Sequence, residues 1–187
     1  MQRRVLLFAL VGTTVFGQAT PAKSLARKKM DRLEDDEAPA GWMTFTLKEV
    51  NTLAAETVAR EMPGGGVTRT AVVLGKDRAT GSARIDFAKV REGAGETPGA
   101  LTRLLLGGEK DVSVEATFRS GAGTVQIDVA RVVINGFEIQ GRLLDWLVEN
   151  YLLPLYPTAK VGMPFEIGYH VERLEIAPTR VRVRVVR

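Results

Sequence analysis

The chain contains one histidine, His170, and no cysteine, so the usual nucleophile-and-base and metal-ligand sets are short of members from the start. An imidazole could serve as a general base or ligand. However, Glu166 and Glu172 share the side of an alternating stretch with His170, and that side reads as wet. A zinc-type site needs several His or Cys ligands at short spacing, which one histidine cannot supply. Asp86, Asp111, Asp128 and Asp145 could be drawn together around a hard cation, yet no calcium-loop spacing joins them. None of Ser24, Ser82, Ser113 or Ser120 sits in a G-x-S-x-G elbow. The glycines at 64–66 and 107–108 match neither a phosphate loop nor a dinucleotide fingerprint and read as turns. The expectation is a protein that is not an enzyme, with no catalytic residue, no metal and no cofactor, although carboxylates paired from distant positions would leave no mark in the sequence.

Two other stretches carry chemical potential. "RVRVRVVR" places Arg180, Arg182 and Arg184 on one side of a strand and Val181, Val183 and Val185 on the other. Such a ladder could meet anionic lipid or polysaccharide; the plainer reading is that outward arginines keep a strand edge from pairing with another chain. The second stretch is apolar. "ALTRLLLGG" and "LLDWLVENYLLPLY" concentrate leucine and aromatic residues. They either fill a core or line a greasy groove able to admit an acyl chain.

The elements that would position these residues follow from periodicity. Thr46 and Glu49 have capping-box spacing, Phe45 and Val50 sit at the staple positions, and Leu47, Val50, Leu53, Ala54, Thr57, Val58 and Met62 recur at helical spacing until Pro63. A long helix over 46–62 is expected. Strands are expected at 67–75, 81–90 (Ala83, Ile85 and Phe87 on one side), 111–118 (Val112, Val114, Ala116 and Phe118) and 124–134, the last two joined by the turn "SGAG". Asn135-Gly136 is a turn pair. A second, shorter helix over 142–153 carries Leu143, Leu144, Leu147, Val148, Tyr151 and Leu152. Two strands close the chain, 164–176 (Phe165, Ile167, Tyr169, Val171) and 179–186. Short turns make the sheet antiparallel, with one dry face that the helices must cover.

The chain opens with "MQRR", an uncharged stretch at 5–16 and then Gly17 and Ala19, the pattern of a signal peptide of residues 1–19 cleaved after about Ala19. The apolar run is shorter than the roughly 20 residues a spanning helix needs. Removing Arg3 and Arg4 would leave 24 basic against 22 acidic residues, a near balance that argues against nucleic acid as partner. Residues 20–41 mix charges and hold few large apolar side chains, so a flexible charged arm is expected there, followed by a single domain over 42–187.

The order "FTLKEVNTLAAETV", a run of strands, "VVINGFEIQGRLLDWLVENYLLP" and a closing strand pair resembles small exported bacterial proteins of the LmeA-like and YpmS-like kind, in the tubular lipid-binding (TULIP) superfamily. It covers about residues 42–187 and rests on that order, on Thr46, Glu49 and Asn51 at the helix start, and on the Ile-Asn-Gly turn at 134–136. It implies an α+β fold in which a strongly curved antiparallel sheet wraps a long helix, with lipid between them, and it offers no catalytic residues to carry over. The expected function is an exported, periplasmic or envelope protein that binds a lipid or other amphiphile as carrier or chaperone. The ligand-binding walls would come from Leu53, Val58, Phe87, Phe118, Trp146, Leu147, Tyr151, Phe165 and Tyr169, and a membrane surface or envelope protein is a further candidate partner. The alternatives are a ligand-free envelope scaffold or interaction module and, behind it, a hydrolase with a cone-shaped NTF2-like or cystatin-like cavity.

Overall fold

A computed structural model describes residues 24–61, 65–93, 95, 107–149 and 162–186. The expected signal peptide, Tyr151, the leucines of 101–106 and the end of the expected 142–153 helix lie outside them. The described chain is α+β: α1 (Leu25–Glu34), β1 (Gly41–Thr46), α2 (Leu47–Glu61), β2 (Val67–Gly75), β3 (Arg78–Ile85), α3 (Phe87–Gly93), β4 (Lys110–Gly121), β5 (Thr124–Ile134), β6 (Phe137–Ile139), α4 (Arg142–Leu147), β7 (Pro164–Glu166), β8 (Val171–Ala177) and β9 (Arg180–Val185). All the strand pairings are antiparallel. They form two sheets: a small one ordered β1-β9-β8, and a large one ordered β2-β3-β4-β5-β6 with β7 also on β5.

The small sheet pairs the first described strand with the last, Gly41 opposite Val185 and Thr46 opposite Arg180. Its β8 edge is sealed by the hairpin turns of the large sheet. Asp77 N–H donates to Ile176 O (3.1 Å) and Gly123 N–H to Glu172 O (2.9 Å), and Leu174 N–H donates to Ser120 Oγ (2.9 Å). An open row of strand donors and acceptors is thereby closed by the chain itself. β9 lies between β1 and β8, so its arginines guard no edge. Arg182 pairs with Glu175 and stacks 4.6 Å over the Trp42 ring, and Arg184 pairs with Glu172 at 2.9 Å.

The capping box at the start of α2 forms as its spacing implies. Thr46 N–H donates to Glu49 Oε2 (2.8 Å) and Glu49 N–H donates to Thr46 Oγ1 (3.2 Å). Val50, Leu53 and Thr57 of α2 are buried, against β1, β9, β2 and α1.

The expected flexible arm is corrected over its described part. Residues 25–34 are a helix capped by Ser24, whose hydroxyl accepts from Arg27 N–H at 3.1 Å. Ala26, Met30 and Leu33, spaced four and three apart, turn into the core, Met30 1% and Leu33 0% exposed. The charges that suggested a solvated tether pair locally. Arg27 bonds Asp31 and Glu34, each at 2.7 Å, and Lys29 Nζ donates to Thr44 O (2.9 Å) and Glu49 Oε1 (2.6 Å).

Lys29 thus fastens α1 to the capping box of α2. Burial pushes the Glu49 carboxyl up, but the Lys29 bond and those from Thr46 together hold its pKa below the ordinary 4.5. The network therefore contributes fully above pH 4.5 and is lost as pH falls through the lowered folded value. Glu49→Gln should cost about 1 kcal/mol at pH 6, in the range of a lost cap. The gap between variant and wild-type urea midpoints should shrink towards pH 3; a gap unchanged with pH would remove Glu49 as its source.

Two expected strands are also corrected. The strand at 81–90 ends at Ile85, because Asp86 Oδ1 accepts from Ala88 and Lys89 N–H, each at 3.2 Å, and opens α3. Gly66 makes room for that turn: a Cβ there would lie 2.8 Å from Val90 N. The strand at 164–176 breaks at Gly168, Tyr169 and His170, with φ of 76°, 51° and 54°, and Val171 N–H turns back to Gly168 O at 2.9 Å.

Candidate functional site

The register of the large sheet puts one apolar face along its whole length. Leu74, Ala79, Ala116 and Val129 align across β2, β3, β4 and β5, and Ala83, Val112 and Ile134 align further along. A bulge where Ala130 intervenes between Val129 and Arg131 keeps Val129 and Val132 on that face. The opposite face carries ion pairs: Arg78–Glu115 (3.1 Å), Arg84–Asp111 (2.9 Å), Arg119–Asp128 (2.7 Å) and Arg131–Glu138 (2.9 Å).

The apolar face is covered in two patches. At the hairpin-turn end, α1, α2 and the small sheet build the larger cluster around Met30, Leu33, Leu53, Val125, Ile167 and Val183. At the other end a smaller cluster forms around Phe87 of α3, Val132 and Ile134 of β5 and Leu147 of α4. Ile85, Val112, Val114, Val129, Ile139, Leu144 and Trp146 pack around it while staying partly exposed.

The expected wall residues therefore do not form one groove. Leu53 is 1% exposed and presents no open surface to a guest. Phe118, Phe165 and Tyr169 pack half-buried against the larger cluster. Val58 is half-buried and joins neither cluster. Phe87, Trp146 and Leu147 do meet, in the smaller cluster. Val114, Val129 and Leu144 belong with them. Val114 and Val129 were visible as the dry side of alternating strands, whereas Val132 and Ile134 join them through a bulge at Ala130 that no local pattern announces.

The polar candidates have structural duties. Asp86 caps α3. The Arg84 hydrogen bond, above all, holds the Asp111 carboxyl below the ordinary range, and the Gln126 bond does the same for Asp128, with Arg119 helping. Ser120 Oγ donates to Thr124 O (3.1 Å) while accepting from Leu174. His170 Nε2 lies 3.8 Å from Asp36, both largely exposed. Among the described residues no three His, Asp or Glu side chains gather as metal ligands, and no helix is long and apolar enough to cross a membrane. No family model matches the chain, and no characterised protein is similar to it in sequence.

Proposed function

We propose that this is an exported envelope protein that shelters the acyl part of a lipid or another amphiphile between the large sheet and the short helices α3 and α4, as carrier or chaperone. In this reading the large sheet is strongly curved about the long helix α2. The larger cluster is the packed foundation and the smaller one the binding end. The observation that carries the reading is the half-covered apolar surface there: seven apolar side chains partly exposed around four buried ones. Covering such surface gains about 25 cal/mol per Å², and each buried CH₂ about 0.8 kcal/mol, so a chain of ordinary length binds without a dedicated polar handle.

Native mass spectrometry of the protein purified from its host, followed by solvent extraction, should show a co-purifying amphiphile. Val129→Glu places a charge on the half-exposed wall without emptying the core. It should lower uptake of the fluorescent probe cis-parinaric acid at least tenfold while leaving far-UV circular dichroism unchanged. Uptake equal in the variant and the wild type, or none in the wild type, would discard the carrier and leave a ligand-free scaffold.

A further inference from the structure

The outer, polar face of the large sheet holds a groove of about 270 Å³ lined by Arg69, Ser82, Ala83, Arg84, Asp111, Val112, Ser113, Val133 and Gly136. It lies on the face opposite the apolar one and stands independently of the amphiphile reading. Three features of the fold build it.

The first is the bulge in β2. Thr68 pairs with Arg84 and Ala71 with Ser82, so Arg69 and Thr70 together oppose Ala83. Arg69 takes up the irregularity with φ of 53°, a left-handed conformation uncommon for a long side chain. Bulges redirect side chains in this way, and here the redirected one is a guanidinium that borders the groove. Arg69 makes no hydrogen bond or salt bridge among the described residues.

The second is a cross-strand serine pair. Ser82 and Ser113 sit directly opposite each other on β3 and β4. Among the described residues, Ser82 Oγ makes only a long bond to Ala71 O, 3.5 Å, and the Ser113 hydroxyl has no partner.

The third is a fixed wall. Arg84 holds Asp111 by two bonds, Nε–Oδ1 2.9 Å and Nη2–Oδ2 3.1 Å. The Asn135-Gly136 turn pins the Asp111 backbone from the side, Asp111 N–H to Asn135 Oδ1 (2.9 Å) and Asn135 N–H to Asp111 O (2.8 Å).

Among the lining residues Arg84 neutralises Asp111, which leaves one net positive charge, on Arg69, and an excess of donors over acceptors. The Arg69 charge also acts on Asp111, and Glu109 approaches Arg84 at 3.9 Å from outside the lining. Those donors come from three strands: Arg69 on β2, Ser82 on β3 and Ser113 on β4. A planar carboxylate offers two oxygens in one plane, whereas a phosphate offers oxygens in several directions and more negative charge for the guanidinium. We propose that this groove binds the phosphate of a phosphate ester, with Arg69, Ser82 and Ser113 as donors and the Arg84–Asp111 pair as the rigid side wall. The ester is either a soluble phosphate or the headgroup of a phospholipid.

The test uses the full chain and two probes. Calorimetric titration with glycerol 3-phosphate reports the soluble source. Flotation with vesicles of phosphatidylglycerol, against vesicles of phosphatidylcholine alone, reports the anionic headgroup. Arg69→Gly removes the guanidinium where a glycine is at ease, so its thermal midpoint should equal or exceed that of the wild type while binding falls tenfold or more. Ser113→Ala should weaken binding several-fold. Arg69→Asn, which also tolerates this backbone, repeats the comparison should the glycine variant fold poorly. Saturable binding in either arm that depends on Arg69 supports the site, and the responding arm names the source. Binding in neither arm, or binding unchanged in both Arg69 variants, overturns it.

Discussion

Leu33→Ala should destabilise the protein by about 3–4 kcal/mol, as expected for a large side chain removed from a site that cannot collapse. Leu33 is fully buried beside Met30 and Ala26 in the larger cluster, and α1 is fastened from outside by Lys29, so the helix cannot slide in to fill the hole. That loss is a large share of the roughly 5–15 kcal/mol that holds a domain together, and urea denaturation of the full chain reads it directly. The contrast lies on the same helix: Leu25 is 73% exposed, and Leu25→Ala should change stability by less than about 0.5 kcal/mol. If the two variants behave alike, α1 is not part of the core and residues 25–34 return to being a tether.

The charged stretch misled because charge says where water can be, not where a stripe of three apolar residues goes. Ala26, Met30 and Leu33 are spaced for one helical face, and Ser24 stands at the cap position; both signals were in the sequence. The partners of the charges were not, since Lys29 meets Glu49 of another helix. The start of α2 was legible because a capping box is local, three residues long. The end of β3 was not. Ala83, Ile85 and Phe87 continue an alternating pattern straight through the strand end, and what stops it is the Asp86 cap together with the space that Gly66, from before β2, leaves beside Val90.

The proposed binding end was legible in composition and not in place. Phe87, Trp146 and Leu147 were marked as apolar wall and do come together, yet Leu53, named with them, is sealed in the other cluster. Side-chain type is shared by core and groove alike. The division between them is made by the pairing of β1 with β9 and by β8 lying against the large sheet, contacts between distant segments that leave no periodic trace.

The motif at the start of α2 has a further test in its third member. Asn51 reaches across to the outermost strand of the large sheet, where Val72 N–H donates to its Oδ1 (2.7 Å) and its Nδ2 donates to Val72 O (2.9 Å). The side-chain amide thus stands in for the neighbouring strand that β2 lacks on that side. Asn51→Leu keeps the size and removes both partners while shielding Val72 from water. An orphaned donor and acceptor should together cost about 3 kcal/mol. Asn51→Ala opens room for water to take over the same two bonds and should cost about half as much. Hydrogen exchange localises the effect: the Val72 amide should lose protection in both variants, more than amides in the middle of β4. Equal stability of the leucine variant and the wild type would mean that β2 is held by its apolar contacts alone. In that case the Thr-x-x-Glu-x-Asn spacing would not be a device for seating the long helix on the sheet edge.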